Sequence, residues 1–402
     1  MPDTKTPRAP LGQNRENLRQ HNLSVVLRML HQSRSVPRSL LTSVTGLNRS
    51  TISDLVGELV SLGLATEAEA QIVGSVGRPS LTVQASENIV TFAVNPEIDA
   101  TTVGVISFDG RLIQKVRYPT QLQPDAQTAT QIAAKIIGDL RSKLPAGTRI
   151  AGIGAAVPGQ VRVRDGVIRL APHLNWVEVP FGPMLSQLTG LPTFVDNDAT
   201  SVCTAERMFG AARGYSNAVF LFAGSGGIGG GMIVDDRLAR GASGYAGELG
   251  HIQISSAKTA DFSGLPGTLE ALVKRDDLLE VFKLDSATDE ELEQDILTVK
   301  DSKVIKVLNQ QVDDLGRAVG VLATIFNPQA VVLGGFLNSL FKFNQDRLLA
   351  SMRHSSIKSA HDGLIVKGSE LGTSAVLMGA AELAFQGLLD SPAGTELVPN
   401  QR

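Results

Sequence analysis

Between residue 86 and the C-terminus, short apolar stretches alternate with amphipathic segments, and glycine-rich turns follow several of the apolar stretches. Residues 89–108, 150–157 and 218–222 have the composition of strands, whereas 128–144 and 304–327 show the three- and four-residue spacing of helices. Strands that alternate with helices form a sheet covered by helices, so this pattern predicts an α/β body. At this length we expect two such halves with a cleft between them.

The N-terminal part of the chain follows a purely helical pattern. Apolar residues recur at three- and four-residue spacing up to about His31. A short helix is predicted to start at Pro37 and to end at Gly46, because proline suits a first helical turn and glycine suits a helix end. A longer helix should run from Arg49 to about Leu62.

Two short strands around a tip at residues 74–79 would complete this unit. A short helix, a glycine turn, a longer helix and a wing together predict a winged helix-turn-helix DNA-binding domain over residues 22–85, behind a flexible arm over residues 1–21. The alternative is a plain helical bundle whose arginine and serine side chains form a solvated face.

The second helix of such a domain enters the major groove by its N-terminal turn, where arginine can bond guanine through two hydrogen bonds. A wing arginine can lie along the minor groove or the backbone. We therefore predict that DNA is contacted by Arg38, Asn48, Arg49, Ser50, Thr51, Ser53 and Arg78. The charge agrees, since residues 1–82 hold nine Lys/Arg against six Asp/Glu while the whole chain has a net charge of −3.

The composition excludes several classes of protein. Cys203 is the single cysteine, which rules out an intramolecular disulfide and any site made of several thiolates. No apolar run of about 18 residues predicts a membrane span, and no apolar segment follows the basic residues of the N-terminus. We expect a cytoplasmic protein with no membrane partner.

Polar residues of the body lie among glycines or at strand ends. Asp198 follows a predicted strand and could act as a general base beside Asn197, or could simply cap the next helix. Glu248, His251 and Glu270 could together hold several hydroxyl groups of a sugar, although a lone histidine is more often structural.

The glycine-rich run 223–231 also follows a predicted strand. Its backbone N–H groups could approach a phosphate, because glycine has no Cβ in the way. On local evidence alone, a tight hairpin that tolerates positive φ is the favoured interpretation.

Five segments together resemble the ROK family, whose name joins repressors, open reading frames and kinases. They are Gly46–Leu64, Gly152–Gly159, Asp196–Glu206, Gly224–His251 and Val331–Gly335. The resemblance covers nearly all of residues 22–390 and implies the two-lobed, actin-like fold of sugar kinases, with ribonuclease H-like lobes. It places lobe 1 at residues 86–208, completed by a C-terminal helix at about 374–390, and lobe 2 at 209–373.

The same resemblance implies a sugar site. The residues that match it are Gly159, Asn197, Asp198, Glu248, His251 and Glu270. The asparagine and aspartate stand at the places of a sugar-binding asparagine and the catalytic base of kinase members. The glutamates and the histidine match residues that hold sugar hydroxyls, and the glycine matches one that lines the pocket.

Two departures from the family pattern bear on function, and the first concerns a metal. Family members hold a zinc ion with the histidine and three cysteines just before a Leu-Glu pair. This chain has Asp261, Ser263 and Thr268 in those places. Since hydroxyls and one carboxylate do not replace thiolates, we expect no metal and no cofactor. We expect packing of Phe262 and Leu265 to hold this loop instead.

The second departure concerns phosphate. Kinase members carry D-x-G-x-T in the first phosphate loop, whereas here Asn95 stands in place of the aspartate, and Glu97 and Asp99 lie where the phosphate would approach. Carboxylates repel a triphosphate, and Pro96 has no N–H to donate. Phosphoryl transfer relies on positioning and charge neutralisation, so we predict a body without catalytic residues, in which Asp198 is a vestigial base.

The resulting prediction is a transcriptional regulator, most simply a repressor, that binds operator DNA and responds to a sugar or sugar phosphate held between the lobes. A homodimer or a tetramer is expected, because such domains usually read paired half-sites. Two alternatives stay open. One is an active ATP-dependent sugar kinase that also binds DNA, and the other is a DNA-binding dimer that responds to no ligand.

Overall fold

The structure of the protein is a computed structural model that describes residues 15–68, 81–120, 123–224, 226–242 and 244–400. The helices are α1 Arg15–Ser33, α2 Arg38–Thr45, α3 Arg49–Ser61, α4 Ala126–Arg141, α5 Phe181–Thr189, α6 Asp198–Phe209, α7 Leu269–Leu272, α8 Arg275–Phe282, α9 Asp289–Thr298, α10 Ser302–Phe326, α11 Phe336–Phe343, α12 Gln345–His354, α13 Lys358–His361 and α14 Ala375–Asp390. The strands are β1 Ser35–Pro37, β2 Ala65–Ala68, β3 Thr82–Ala85, β4 Ile89–Pro96, β5 Ala100–Ser107, β6 Leu112–Pro119, β7 Arg149–Val157, β8 Gln160–Arg162, β9 Val167–Ala171, β10 Trp176–Val179, β11 Thr193–Asn197, β12 Ala218–Gly224, β13 Gly227–Val234, β14 Arg237–Leu238, β15 Ala330–Gly335, β16 Ile365–Gly368 and β17 Val398–Pro399.

Helix α1 begins earlier than the apolar pattern indicates. It starts at Arg15, so the predicted arm over residues 1–21 is wrong for its last third, while residues 1–14 lie outside the described residues. The first turns carry no apolar face, which is why periodicity missed them. A polar contact to the neighbouring helix holds them instead, because Arg19 Nε donates to Glu58 Oε2 of α3 at 2.7 Å.

Helices α2 and α3 form the predicted helix-turn-helix arrangement within one residue of the expected bounds. Asn48 Oδ1 accepts a hydrogen bond from Thr51 N at 2.9 Å and so caps α3. The predicted apolar face of α3 is buried at Ile52, Leu55, Val56 and Leu59. Strands β1, β3 and β2 form a small antiparallel sheet, and the predicted wing tip with Arg78 lies outside the described residues. We call α1–α3 with β1–β3 the head.

The head shares a hydrophobic core with the body. Leu27 and Leu30 of α1 lie in one buried cluster with Phe108, Phe385 and Leu388. This burial removes the apolar side of α1 from water, and it fixes the head on the body without a flexible linker among these residues.

His31 is the polar centre of this joint. Its ring is fully buried, Nδ1 contacts the carbonyl oxygen of Phe108, and Nε2 lies 2.9 and 3.0 Å from the two carboxylate oxygens of Glu382 in α14. A carbonyl and a carboxylate only accept hydrogen bonds, so both ring nitrogens donate and the pair is ionic. Burial works against the charge of His31, but the attraction of Glu382 and the hydrogen bonds outweigh it and raise the pKa of the ring.

The body contains two sheets with the same plan. The strand order is β11-β7-β4-β5-β6 in the first sheet, which we call lobe 1 with its helices, and β14-β13-β12-β15-β16 in the second, which we call lobe 2. Each sheet has an antiparallel meander of three strands, and two parallel strands follow beside the first strand of that meander. The repeated plan confirms the predicted α/β body with two halves.

Helix α14 covers the lobe 1 sheet, where it packs against α6, β4 and β7. The segment Gly372–Asp390 has a mean hydropathy of 1.2 and alone among the described residues is long and apolar enough to match a membrane span. Most of it is buried inside the protein, and it carries Glu382 at the joint with the head. It is therefore a core helix of lobe 1.

Candidate ligand-binding site

One edge of the lobe 1 sheet gathers the first group of predicted residues. Strands β4, β7 and β11 run parallel, so their carboxyl ends meet at this edge, which is where α/β sheets bind ligands. Val157 lies opposite Asn197 in the register, Gly159 follows two residues later, and Asp198 begins α6. The turn after β4 brings Glu97 to the same edge.

Gly159 and Asn197 are joined directly. Asn197 Nδ2 donates to the carbonyl oxygen of Gly159 at 3.0 Å, while Asn197 Oδ1 accepts from Thr200 N at 2.9 Å. Asn197 is thus the N-cap of α6, and the interpretation in which Asp198 caps this helix is wrong. Gly159 has φ +120°, and a Cβ there would overlap the carbonyl oxygen of Leu170, so the position requires glycine.

Lobe 2 supplies the second group. Within the run 223–231, the described residues of β12 and β13 pair antiparallel with Gly224 opposite Gly227, which agrees with the hairpin interpretation. Glu270, in the short helix α7, accepts a hydrogen bond from Ile228 N at 2.6 Å. Gly227 has φ +104°, and a Cβ there would overlap the Glu270 carboxylate, so glycine is what lets the carboxylate lie against the hairpin.

The two groups lie near each other between the lobes. Glu248 precedes a single 3-10 turn that ends at His251 and packs against β13. The charge of Glu248 acts on Asp198 of lobe 1 and on Glu270 of lobe 2. Across the cleft, a Cβ added at Gly226 of the lobe 2 hairpin would lie 3.8 Å from Pro158 Cβ of lobe 1, so the six residues predicted to bind a sugar lie on facing elements of the two lobes.

The carboxyl groups of this cluster resist ionisation. Burial raises the pKa of Asp198 to about 6, and the charges of Glu248 and Glu97 add to the shift against the effect of backbone N–H donors. Burial likewise raises the pKa of Glu270 and Glu97, and partial burial raises that of Glu248, although this residue is exposed to solvent. Carboxylates that are short of donors favour a ligand with hydroxyl groups, which donate hydrogen bonds.

Asp261 holds the loop in which the family pattern would place zinc. Its side chain is fully buried and accepts five hydrogen bonds of 2.7 to 3.0 Å, from His251 Nδ1, Ser263 N, Ser263 Oγ, Leu265 N and Thr268 Oγ1. Burial opposes its charge, but these hydrogen bonds outweigh burial and lower the pKa of Asp261. Phe262 and Leu265, which were predicted to hold the loop by packing, are both about half exposed, and only Phe262 makes ring contacts, with His173 and His251.

This set of side chains does not fit a zinc ion. The carboxylate of Asp261 is already saturated with donors, two of which are the hydroxyl groups of Ser263 and Thr268. Across the described ranges, no three His, Cys, Asp or Glu side chains are placed to hold a metal. Because Asp261 accepts from Nδ1 of His251, a neutral His251 carries its proton there and leaves Nε2 as an acceptor.

Two contacts between the lobes border the cluster. Arg240, in the segment after β14, lies 2.6 Å from the buried carboxylate of Asp196 in β11. The ring of His173 in lobe 1 lies 4.7 Å from that of Phe262, which in turn lies 5.2 Å from the ring of His251. Sequence reasoning missed both contacts, since they join residues that belong to no common motif.

In the loop that stands in place of the first phosphate loop, the Asn95 amide and the Glu97 N–H already donate to other groups of the protein. Asn95 Nδ2 donates to the carbonyl oxygen of Ala156 at 3.0 Å, and the backbone N–H of Glu97 donates to Ala100 O at 2.7 Å. The carboxylate of Glu97 accepts from Thr102 Oγ1 at 3.0 Å. The turn is thus held by its own groups, and it brings a carboxylate to the sheet edge.

On the head, the N-terminal turn of α3 carries most of the residues predicted to contact DNA. Arg49 is exposed and makes no hydrogen bond or ion pair with another described residue. Asn48 accepts from Ser50 Oγ at 2.7 Å as well as from Thr51 N, so its side-chain oxygen serves the helix cap. The guanidinium group of Arg49 is therefore available to bind DNA.

Arg38 braces the same surface. Its guanidinium group donates to Glu67 Oε1 at 2.6 Å and to Ser53 Oγ at 3.2 Å, which ties the start of α2 to β2 and to α3. These contacts hold α3 relative to α2, so Arg38 has a structural partner on the face predicted for DNA.

Comparisons with known proteins agree with this architecture. The profile of the ROK family matches residues 95–386. The xylose repressor of Caldicellulosiruptor bescii is 26% identical over 398 residues, which cover 94% of this chain and 99% of that repressor. A glucokinase of Thermotoga maritima is 29% identical over 261 residues, which cover 60% of this chain and 81% of that enzyme.

Among solved structures, a ROK family transcriptional regulator described as a homologue of the Escherichia coli Mlc protein superposes with a TM-score of 0.74 at 25% identity. The superposition covers 93% of this chain and 97% of that regulator. The repressor and the regulator thus match head and body together, whereas the glucokinase matches a part of the chain no longer than the body.

Proposed function

The chain belongs to the ROK family, and from this premise we propose that it is a sugar-responsive transcriptional repressor whose body does not transfer phosphate. One observation carries the proposal. A head with the helix-turn-helix arrangement is joined through a buried core to a body in which both lobes contribute polar residues to one cluster.

The sugar would bind between the lobes by hydrogen bonds from its hydroxyl groups. Asp198, Glu248, Glu270 and Nε2 of His251 are the acceptors, and the amide of Asn197 is a donor. Because these groups come from both lobes, the sugar binds best when the lobes are close together. The ligand shifts the protein between two states only by its different affinity for each of them.

The signal would reach the head through two packed helices. Helix α6 begins at Asp198 and packs against α14, and α14 holds the head through Glu382 and His31. A change in lobe closure would therefore move the heads of a homodimer, or of a tetramer, relative to paired half-sites on operator DNA. We propose that this takes place in the cytoplasm.

Sugar binding is tested by thermal denaturation in the presence of a panel of pentoses and hexoses. At least one sugar should raise the melting temperature, and Glu248→Ala should abolish that rise because it removes a hydroxyl acceptor. If no sugar stabilises the protein and it still binds its operator, the rival interpretation of a DNA-binding dimer without a ligand is correct.

DNA binding is tested at Arg49. Arg49→Ala should weaken operator binding by about 1–3 kcal/mol if Arg49 reads a base. Arg353→Ala is the matched control, because Arg353 is an exposed arginine on lobe 2. Equal affinity of the wild type and Arg49→Ala in a titration at fixed salt would remove Arg49 from the interface.

The second candidate function is an active sugar kinase that also binds DNA. It is favoured by Asp198, since a carboxyl group with a pKa of about 6 suits a general base. Asn95, Pro96 and Glu97 oppose it, because this loop offers a carboxylate where a kinase needs donors. A coupled ATP assay with the sugar panel decides, and turnover that Asp198→Asn abolishes would establish the kinase.

A further inference from the structure

We propose that Arg149 is a positioning residue that ties α3, the helix predicted to enter the major groove, to the lobe 1 sheet, and that the effect of a sugar on operator binding depends on this tie. This inference rests on the proposed sugar-responsive function. It adds a direct bond between α3 and the body to the path through α14.

The C-terminal end of α3 is bonded to the body by one side chain. Arg149 Nη1 donates to the carbonyl oxygen of Leu62 at 2.9 Å, and Arg149 Nη2 donates to the carbonyl oxygen of Gly63. The last carbonyl groups of a helix have no partner within it and carry its partial negative charge. A guanidinium group suits this end, because it is positively charged and holds several donors in a fixed plane.

Gly63 makes this close contact possible. Its φ is +65°, and a Cβ added there would lie 3.0 Å from Nη2 of Arg149. Glycine adopts this left-handed conformation at a helix end without strain, and it leaves the guanidinium group room to reach the two carbonyl oxygens.

The connection between head and body is short at the same place. Three residues, 86–88, separate β3 of the head from β4 of the body. Ser86 N donates to Leu64 O at 3.0 Å, and Arg149 N donates to Asn88 O at 2.8 Å. The end of α3 and the start of β7 are therefore held together through the backbone as well as through the guanidinium group.

The opposite end of β7 reaches the candidate ligand site. This strand pairs with β4 on one side and with β11 on the other, so it is a central strand of the lobe 1 sheet. Val157, at its end, lies opposite Asn197, whose amide donates to the carbonyl oxygen of Gly159 at 3.0 Å. Helix α3 and the lobe 1 half of the site are thus attached to the two ends of one strand, and a rigid element of this kind can carry coupling between sites.

The head is held on lobe 1 at two separate helices. At α1, Ser24 Oγ donates to the carbonyl oxygen of Leu389 in α14 at 2.6 Å. At α3, whose main packing partners α1, α2 and β2 all belong to the head, Arg149 supplies the bond to the body. With 13 residues α3 is about 20 Å long, so a rotation of lobe 1 that moves its C-terminal end also moves the turn that carries Arg49.

The test compares operator binding by the full chain with and without a sugar. The DNA is a duplex that the wild-type protein selects from a random pool, and xylose, glucose, mannose and N-acetylglucosamine are the sugars. The ratio of the two dissociation constants for DNA, which we call the sugar effect, should be about tenfold or more in the wild type for at least one sugar. Arg149→Met keeps the apolar stem and removes every donor, so it should reduce the sugar effect at least about threefold. Calorimetry on the DNA-free variant should give the wild-type affinity for that sugar.

Three further variants complete the design. Arg149→Lys keeps the charge and should retain more of the sugar effect than Arg149→Met. Arg149→Gln has a shorter side chain and takes the place of Arg149→Met if that variant does not fold. Arg353→Ala, at an exposed arginine of lobe 2, is the matched control and should keep the wild-type sugar effect.

The outcomes separate this inference from the function on which it rests. A wild-type sugar effect in folded Arg149→Met or Arg149→Gln overturns the inference, even where operator binding is weaker, because a merely structural contact lowers both affinities alike. A loss of sugar affinity in the DNA-free variant also overturns it, because Arg149 would then act on the ligand site. If no sugar changes operator binding by the wild type, the proposed function falls together with the inference.

Discussion

Carboxylates that are buried or half-buried occur in two kinds of surroundings in this protein. In the interior, Asp261 accepts five hydrogen bonds, and Glu206 accepts four, from Ala211 N, Ser369 Oγ, Glu370 N and Leu371 N. Between the lobes, Asp198 and Glu270 each accept one backbone hydrogen bond, from Ala199 N and Ile228 N. The interior group is saturated with donors, and the cleft group is not.

The difference teaches that the supply of donors, more than burial, decides the state of a carboxyl group. Burial opposes the charge of both Asp261 and Asp198, yet the pKa of Asp261 is lowered and that of Asp198 is raised to about 6. A carboxylate without donors costs stability, so such groups persist where a ligand supplies the missing donors. The comparison thus distinguishes carboxylates that stabilise the fold from carboxylates that are free to accept hydrogen bonds from a ligand.

The largest expected effect comes from the saturated group. Asp261→Ala should lower the free energy of unfolding by about 3–5 kcal/mol, because it leaves several buried donors without an acceptor. Chemical denaturation measures it, with Asp285→Ala at an exposed aspartate as the control. A loss below about 1 kcal/mol would mean that donors do not distinguish the two groups.

The second largest loss of stability is expected at the joint between head and body. Glu382→Ala should cost about 3 kcal/mol at pH 6, because it leaves the charge of His31 buried without a partner. Since the pKa of His31 is raised in the folded protein, the stability from the pair is fully present below the unfolded value of 6.5 and is lost as the pH rises through the raised value. Glu382→Gln is the matched control, as its amide can pair with a neutral ring. Equal losses in both variants, with no dependence on pH, would contradict an ionic pair.

Removing the charge of a carboxylate in the cleft should raise the stability of the protein, whereas the two substitutions above lower it. Asp198→Asn should stabilise the unliganded protein by roughly 1–3 kcal/mol at pH 8 while it abolishes stabilisation by a sugar. The folded pKa of about 6 lies above the unfolded value of 3.8, so ionisation costs stability in full above pH 6, and this cost disappears as the pH falls to the unfolded value. Melting curves at pH 8 and pH 4 measure it, with Asp139→Asn as an exposed control. A destabilised variant at pH 8 would place Asp198 with the fold-holding carboxylates.

The smallest effect is expected from metal removal. If the hydrogen bonds of Asp261 hold the loop that zinc holds in other family members, a chelator such as EDTA should shift the melting temperature by less than about 1 °C. A fall of several degrees that added zinc reverses would show that a metal, rather than hydrogen bonds, maintains this loop.

Local sequence patterns predicted much of this architecture. The alternation of apolar strands and amphipathic helices predicted the two-lobed body, and Gly46 predicted the end of α2. The sugar-site residues came from motif resemblance, and the registers of β7 and β11 place Asn197 and Gly159 side by side. Periodicity failed at the start of α1, since those turns are held by Arg19 rather than by an apolar stripe.

What the sequence alone determined is therefore what depends on near neighbours along the chain: the periodicity of helices and strands, and the glycine that ends α2. Tertiary structure alone decided which charges are satisfied. His31 meets Glu382 across 351 residues, and Glu206 meets Ser369 across 163. A buried charge needs partners from every element packed around it, and those partners are set by the fold as a whole rather than by any local run of residues.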